Sequence, residues 1–156
     1  MSIPRLVLIA SALAVAAVPV AFAGSAQVVQ DPRGDAHGPA NQDLVRATVL
    51  RVGGRQVHTL RTAGAFALPS APCLYILHAR HTIFVCGQSP GGQFAGFGPG
   101  NNGPHATVSR PAPNEIRYSF SASKLGLKRS YRWYATAAIH TADKLPNRGT
   151  VTTKLP

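Results

Sequence analysis

Residues 44–62 read Leu44-Val-Arg-Ala-Thr-Val-Leu-Arg-Val-Gly-Gly-Arg-Gln-Val-His-Thr-Leu-Arg-Thr62. Two β-rich runs, Leu44–Val52 and Arg55–Thr62, flank Gly53-Gly54. Two adjacent residues that tolerate positive φ are what a tight hairpin turn requires. In that hairpin Ala47 faces Leu60 and Val49 faces His58 on one side. Arg46 faces Arg61 and Thr48 faces Thr59 on the other. Like charges directly opposite are unfavourable unless water or an anion separates them, so Arg46 and Arg61 are either a splayed, solvated pair or an anion-binding patch.

A second hairpin follows. Cys73-Leu-Tyr-Ile-Leu-His78 and His81-Thr-Ile-Phe-Val-Cys86 flank Ala79-Arg80. Folding back there sets Tyr75 against Phe84, Ile76 against Ile83 and Cys73 against Cys86. With a two-residue loop the cysteines fall at a non-hydrogen-bonded pair, where Cα atoms approach most closely and a bridge can form. A four-residue loop keeps the opposition and changes the pair type. These are the only two cysteines, and a Cys73–Cys86 disulfide is the expectation in an oxidising compartment.

Further along, Ile116, Tyr118 and Phe120 alternate with polar residues, as in a half-buried strand. Tyr131, Trp133, Ala135, Ala137 and Ile139 share one face of the clearest strand, with Trp133 as a core anchor. Residues 121–127 read as a turn or one short helical turn, and Thr150–Leu155 as a last strand. No helix of normal length is indicated. Short strands punctuated by Gly and Pro predict an all-β antiparallel sandwich, jelly-roll or immunoglobulin-like, of roughly eight strands with one disulfide-bridged hairpin.

The start of the chain has another purpose. Arg5, the apolar stretch Leu6–Val20 and the small-x-small Ala21-Phe22-Ala23 form a secretory signal peptide over residues 1–23; a retained anchor is the alternative. No later stretch is long and apolar enough to span a membrane. Residues 24–43 are then an Asp-rich lead-in, and 44–156 a single sandwich domain. The expected location is secreted or extracellular, with the cell envelope included.

Charge narrows the chemistry. Lys and Arg number 16 against 5 Asp and Glu, for a formal net charge of +11. Twelve of the sixteen are Arg, which suits bidentate recognition of carboxylate, sulfate or phosphate. The bland reading is a basic, soluble surface. Glu115 is the only Glu, so the paired carboxylates of a glycosidase are not apparent. No Gly-x-Ser-x-Gly elbow is present, and bridged cysteines leave no Cys–His nucleophile. The expectation is a protein that is not an enzyme. The Gly-rich segment 87–105 lacks a phosphate-loop ending, so no nucleotide cofactor is expected. The only Met is Met1, which leaves heme without Met/His ligation. Phe94 and Phe97 in that segment either tuck into the core or stack on a ligand. No specific nucleic-acid partner is expected.

The acids themselves are concentrated. Asp31, Asp35 and Asp43 fall within Asp31-Pro-Arg-Gly-Asp-Ala-His-Gly-Pro39 and the four residues after it. Pro and Gly make the run a turn whose aspartates cap their own backbone. Asp31 and Asp35 also present hard oxygens that suit Ca²⁺, with Asp143 a third donor if the terminal strands are neighbours. Arg33-Gly34-Asp35 spells an adhesion tripeptide, a match too short to weigh.

Asp31-Pro-Arg-Gly-Asp35, Gly38-Pro39 and Asp43-Leu44-Val45 resemble the start of DOMON-like β-sandwiches. These are related to family-nine carbohydrate-binding modules and to the C-terminal module of glucodextranase-type enzymes. Gln56–Thr62 is similar to their second strand, with His58 where an aromatic is usual. Tyr118-Ser-Phe-Ser, Leu125-Gly126, Tyr131-Arg-Trp133 and Asp143–Gly149 are similar to their closing segments. The resemblance implies a non-catalytic sandwich, often calcium-bearing, that binds sugar or, in some relatives, heme. One departure matters: the tryptophan pair that clamps a sugar end cannot form, since Trp133 is the only Trp. The leading expectation is a secreted binding module for extracellular or cell-envelope carbohydrate. The alternatives are a basic envelope or adhesion protein that holds polyanions through its arginines, and a purely structural secreted domain.

Overall fold

The computed structural model describes residues 26–36, 38–67, 71–78, 81–87, 95–96, 106–137 and 143–156. Residues 1–23, the expected signal peptide, and Phe94 and Phe97 lie outside the described residues. Two antiparallel sheets form the sandwich. The first holds β1 (Gln27–Gln30), β2 (Leu44–Val52), β3 (Arg55–Thr62), β7 (Thr107–Ala112) and β8 (Glu115–Phe120), in the order β1-β2-β3-β8-β7. The second holds β4 (Cys73–His78), β5 (His81–Cys86), β6 (Ala95–Gly96), β9 (Ser130–Thr136), β10 (Lys144–Leu145) and β11 (Val151–Lys154). Its order is β10-β9-β4-β5-β6, with β11 also paired to β9.

Both hairpins take the register read from the sequence. Ala47 pairs with Leu60, Val49 with His58 and Arg46 with Arg61. Gly53 and Gly54 carry φ of 54° and 76°, the doubly positive turn that matches strand twist. Cys73 pairs with Cys86 and Tyr75 with Phe84. The cysteines are bridged, with their Cα atoms 4.2 Å apart, the close spacing of a non-hydrogen-bonded pair. The strand count exceeds the expected eight because β1, β6 and β10 are only two to four residues long, and because β7 contains Pro111. Proline is tolerated there because β7 is an edge strand, and the register shifts between Ser109 and Ala112.

Alternation along each strand builds the core. Leu44, Leu60, Ile116 and Tyr118 of the first sheet meet Leu74, Ile76 and Trp133 of the second, all essentially inaccessible. Polar atoms in this interior are tied to one another. Tyr118 donates its hydroxyl to the Pro72 carbonyl. Trp133 Nε1 donates to Thr153 Oγ1 at 2.8 Å, and Thr153 Oγ1 donates to Gln27 Oε1 at 2.7 Å. His58 is fully buried between the sheets, stacked on Phe120 at 5.6 Å and edge-on to Trp133 at 4.8 Å. Its Nε2 lies 2.6 Å from the Tyr131 hydroxyl, which faces Gln56 Oε1 at 3.5 Å. If Tyr131 donates to Gln56, it accepts from a protonated Nε2. Nδ1, which has no partner, is then a bare lone pair, the less costly kind of orphan.

Burial holds the His58 pKa down at about 3, against an ordinary 6.5. Between those values the unfolded chain binds a proton that the native state refuses, so this group lowers stability progressively as pH falls from 6.5 to 3. Urea unfolding at pH 7 and pH 4 measures it. The variant His58→Phe is expected to lose less stability than wild type between the two pH values. At pH 7 it is weaker by roughly 1 kcal/mol, because the Tyr131 hydroxyl keeps Gln56 and loses its bond to the His58 ring.

Candidate functional site

β2 begins where the lead-in segment ends its turn. The Asp31 N–H donates to the Val45 carbonyl at 3.1 Å, extending the β1–β2 ladder by one rung. Pro32 and Gly34 then reverse the chain. Gly34 has φ 84°, and its N–H donates to Asp43 Oδ2 at 2.8 Å. A single 3₁₀ turn over Ala40–Gln42 delivers Asp43 to the start of β2. Asp43 is 4% exposed, and its carbonyl accepts from the Ala63 N–H at 2.8 Å. From the other sheet, Asp143 precedes β10, and its Oδ2 accepts the Leu44 N–H. Asn147 Nδ2 donates to Asp35 Oδ2 at 2.6 Å. The turn after β1 and the segment around β10 are thus fastened together across the seam of the sandwich.

One consequence is a concentration of negative charge. Asp31, Asp35 and Asp143 each place a carboxylate oxygen within 4.8 Å of the others. Oxygens that share one Ca²⁺ at roughly 2.3–2.6 Å lie no more than about 5 Å apart, so the three are spaced as ligands of a single ion would be. These are the three donors named from the sequence. Asp43 stands beside them, a contributor that the sequence reading did not assign to the group. Two buried oxygens, Asp31 Oδ2 and Asp43 Oδ1, have no hydrogen-bond partner. Among the described residues the one ion pair is Arg61–Glu115, at 3.9 Å, so none of the described basic side chains pairs with the aspartates. Desolvation first, then the charges of Asp35, Asp143 and Asp43, raise the Asp31 pKa to about 6. Desolvation also raises that of Asp143, opposed by the Leu44 N–H. The donors are hard oxygens, Asp31 Oδ2 among them has no partner, and the ionised forms of Asp31 and Asp143 are disfavoured as they stand. That combination fits a hard divalent cation.

The expected arginine pair lies next to this cluster. Arg46 and Arg61 are exposed on the outer face of the first sheet, and they line a cleft of about 320 Å³ with Gln30, Asp31, Arg33 and Asn114. Arg33 was not anticipated as a partner; only the turn at Pro32–Gly34 brings it there. A cleft of about 380 Å³ lies between Gln27 and Lys154. Of its polar lining, Gln27 and Thr153 already bond each other, and Arg51, Gln56, Thr152 and Lys154 complete it.

The outer face of the second sheet carries a row of rings. Phe84, Tyr75 and Tyr134 lie 5.5 and 4.6 Å apart with planes tilted by 24° and 3°, and Lys144 Nζ sits 4.5 Å above Tyr134. At such spacings parallel rings stack on one another and stand up from the sheet, presenting edges outward. The row therefore serves cohesion of the strands rather than offering a flat platform for a sugar.

An Asp31→Asn exchange tests the electrostatic reading. The folded-state pKa of Asp31 lies above its ordinary 3.8, so stability from this group is present at low pH and lost as pH rises through about 6. In chelator at pH 8 the variant is expected to unfold at a higher temperature than wild type, with the gap narrowing by pH 5. A lower midpoint at pH 8 contradicts the reading. No family model matches the chain, and no curated protein or solved structure matches it, so the likeness to DOMON-like modules rests on the quoted residues alone.

Proposed function

We propose that the chain is a non-catalytic binding module for carbohydrate of the extracellular space or cell envelope, with Ca²⁺ fastening its lead-in segment to the sandwich. The observation that carries this reading is the group Asp31, Asp35 and Asp143, beside the orphaned oxygens of Asp31 and Asp43. A cation bound there would draw together segments that belong to opposite sheets. It would be structural rather than catalytic: it cancels the mutual repulsion of carboxylates that the fold has already assembled. The carbohydrate half of the reading draws on the resemblance of the lead-in and closing motifs and on the antiparallel sandwich. The disulfide supports a location outside the reducing cytoplasm.

Thermal unfolding of the mature chain, with Ca²⁺ and with chelator, tests the cation. A site held a hundredfold above its Kd adds about 2.7 kcal/mol, which in a domain of this size raises the midpoint by several degrees. An unchanged midpoint at millimolar Ca²⁺ removes the ion from the account.

A further inference from the structure

The arginines of the first sheet are arranged in a way that an inert basic surface does not require. Arg46 and Arg61 occupy directly paired positions on neighbouring strands, where side chains start roughly 5 Å apart and like charges repel. Arg33 joins them from the turn after β1, and all three face one cleft. Arg61 has a partner in Glu115, but at 3.9 Å between two partly exposed groups that contact contributes little. Elsewhere on this face the cations are spoken for. Arg55 donates to Ser119 Oγ at 2.8 Å and to the Ser119 carbonyl at 2.6 Å, and Arg117 leans on Thr59 Oγ1 at 3.4 Å.

We propose that the cleft formed by Gln30, Asp31, Arg33, Arg46, Arg61 and Asn114 binds the acidic sugar of an anionic polysaccharide. This rests on the carbohydrate-binding reading above and names the ligand class for it. Two features select that chemistry. First, guanidinium groups converging on one small space match the planar, multi-oxygen face of a carboxylate or sulfate. Second, the cleft is not uniformly basic. Asp31 and the amide carbonyls of Gln30 and Asn114 are acceptors, and they have use only for a ligand that also donates. A sugar acid brings hydroxyls that donate alongside its anionic group. A bare inorganic anion such as sulfate, or the phosphodiester groups of a nucleic-acid strand, bring no such donors and leave these acceptors unpaired. A volume of about 320 Å³ sits at the low end of ligand clefts, roughly 300–1,000 Å³. That size suits one sugar unit at a time, with the polymer continuing over the open face.

Binding to immobilised polymers tests this, with polygalacturonate, dextran sulfate, neutral dextran and an oligodeoxythymidylate of comparable charge as probes. Three proteins are compared: wild type, Arg46→Gln/Arg61→Gln, and the charge-matched Lys128→Gln/Arg129→Gln on the loop before β9. The expected result is binding to at least one acidic polysaccharide, none to dextran, weakening by about tenfold or more in the Arg46/Arg61 variant, and less than twofold in the Lys128/Arg129 variant. Polygalacturonate against dextran sulfate tells carboxylate from sulfate. Equal weakening by both variants, or equal binding of the oligonucleotide, reduces the effect to net charge and overturns the proposal. Binding of dextran untouched by Arg46→Gln/Arg61→Gln also overturns it and leaves the carbohydrate reading standing. Binding of no polysaccharide overturns both.

Discussion

Four aspartates share one corner of the sandwich, and the way the chain closes on itself depends on how their charge is accommodated. Asp43 ends the lead-in turn by holding the Gly34 N–H, and Asp143 holds the Leu44 N–H from the opposite sheet. N–H donors bond ionised carboxylates most strongly, yet burial and mutual repulsion favour the protonated forms of Asp31 and Asp143. The corner is therefore geometrically assembled and electrostatically unfinished. A divalent cation, as proposed above, would resolve the conflict in one step, because it favours ionisation of every carboxylate that touches it. The lead-in segment is thereby part of the fold rather than a tail: its β1 lies along β2, and its turn reaches Asn147 beyond β10.

Placed beside that corner, the arginines acquire a sharper meaning. The overall charge of +11 invites a reading in terms of diffuse basicity. The fold distributes it otherwise. Four of the five acids, Asp31, Asp35, Asp43 and Asp143, are gathered at the seam between sheets, while Arg46, Arg55, Arg61 and Arg117 stand on the outer face of the first sheet. Asp31 belongs to both, lining the arginine cleft while pointing into the carboxylate group. The ring ladder of Phe84, Tyr75 and Tyr134 shows the opposite case. Aromatic residues on an outer face suggest a sugar platform, but their mutual stacking makes them a brace between strands.

Much of this was legible in the sequence where a local rule sets a long-range result. A two-residue Gly-Gly turn fixes the β2–β3 pairs from Val52–Arg55 out to Arg46–Arg61, beyond which the register shifts between Leu44 and Arg46, and the symmetry of residues 73–86 fixes the disulfide with its register. Alternation placed Trp133, Tyr131 and Ala135 inside, as found. Short or irregular elements were not legible. β1 and β10 are too brief to show a period, and Pro111 masks β7 as a strand. The site divided along the same line. Asp31, Asp35 and Asp143 were nameable from composition and motif. Asp43, Asn147 and Arg33 joined only through tertiary placement, since a turn's projection and a contact across sheets leave no periodic trace. His58 was read as standing where the resembled modules usually carry an aromatic; its bond to Tyr131 explains how the core accepts it.

The most direct test of the carboxylate corner is calorimetric titration of Ca²⁺ into chelator-stripped protein near pH 6, in two buffers of different ionisation enthalpy. With the Asp31 pKa at about 6, a fraction of the corner is protonated there. The account predicts one saturable site per chain, proton release that shows as a buffer-dependent heat, and loss of both in Asp143→Asn. No saturable binding at millimolar Ca²⁺, or binding that survives Asp143→Asn with no proton released, contradicts it.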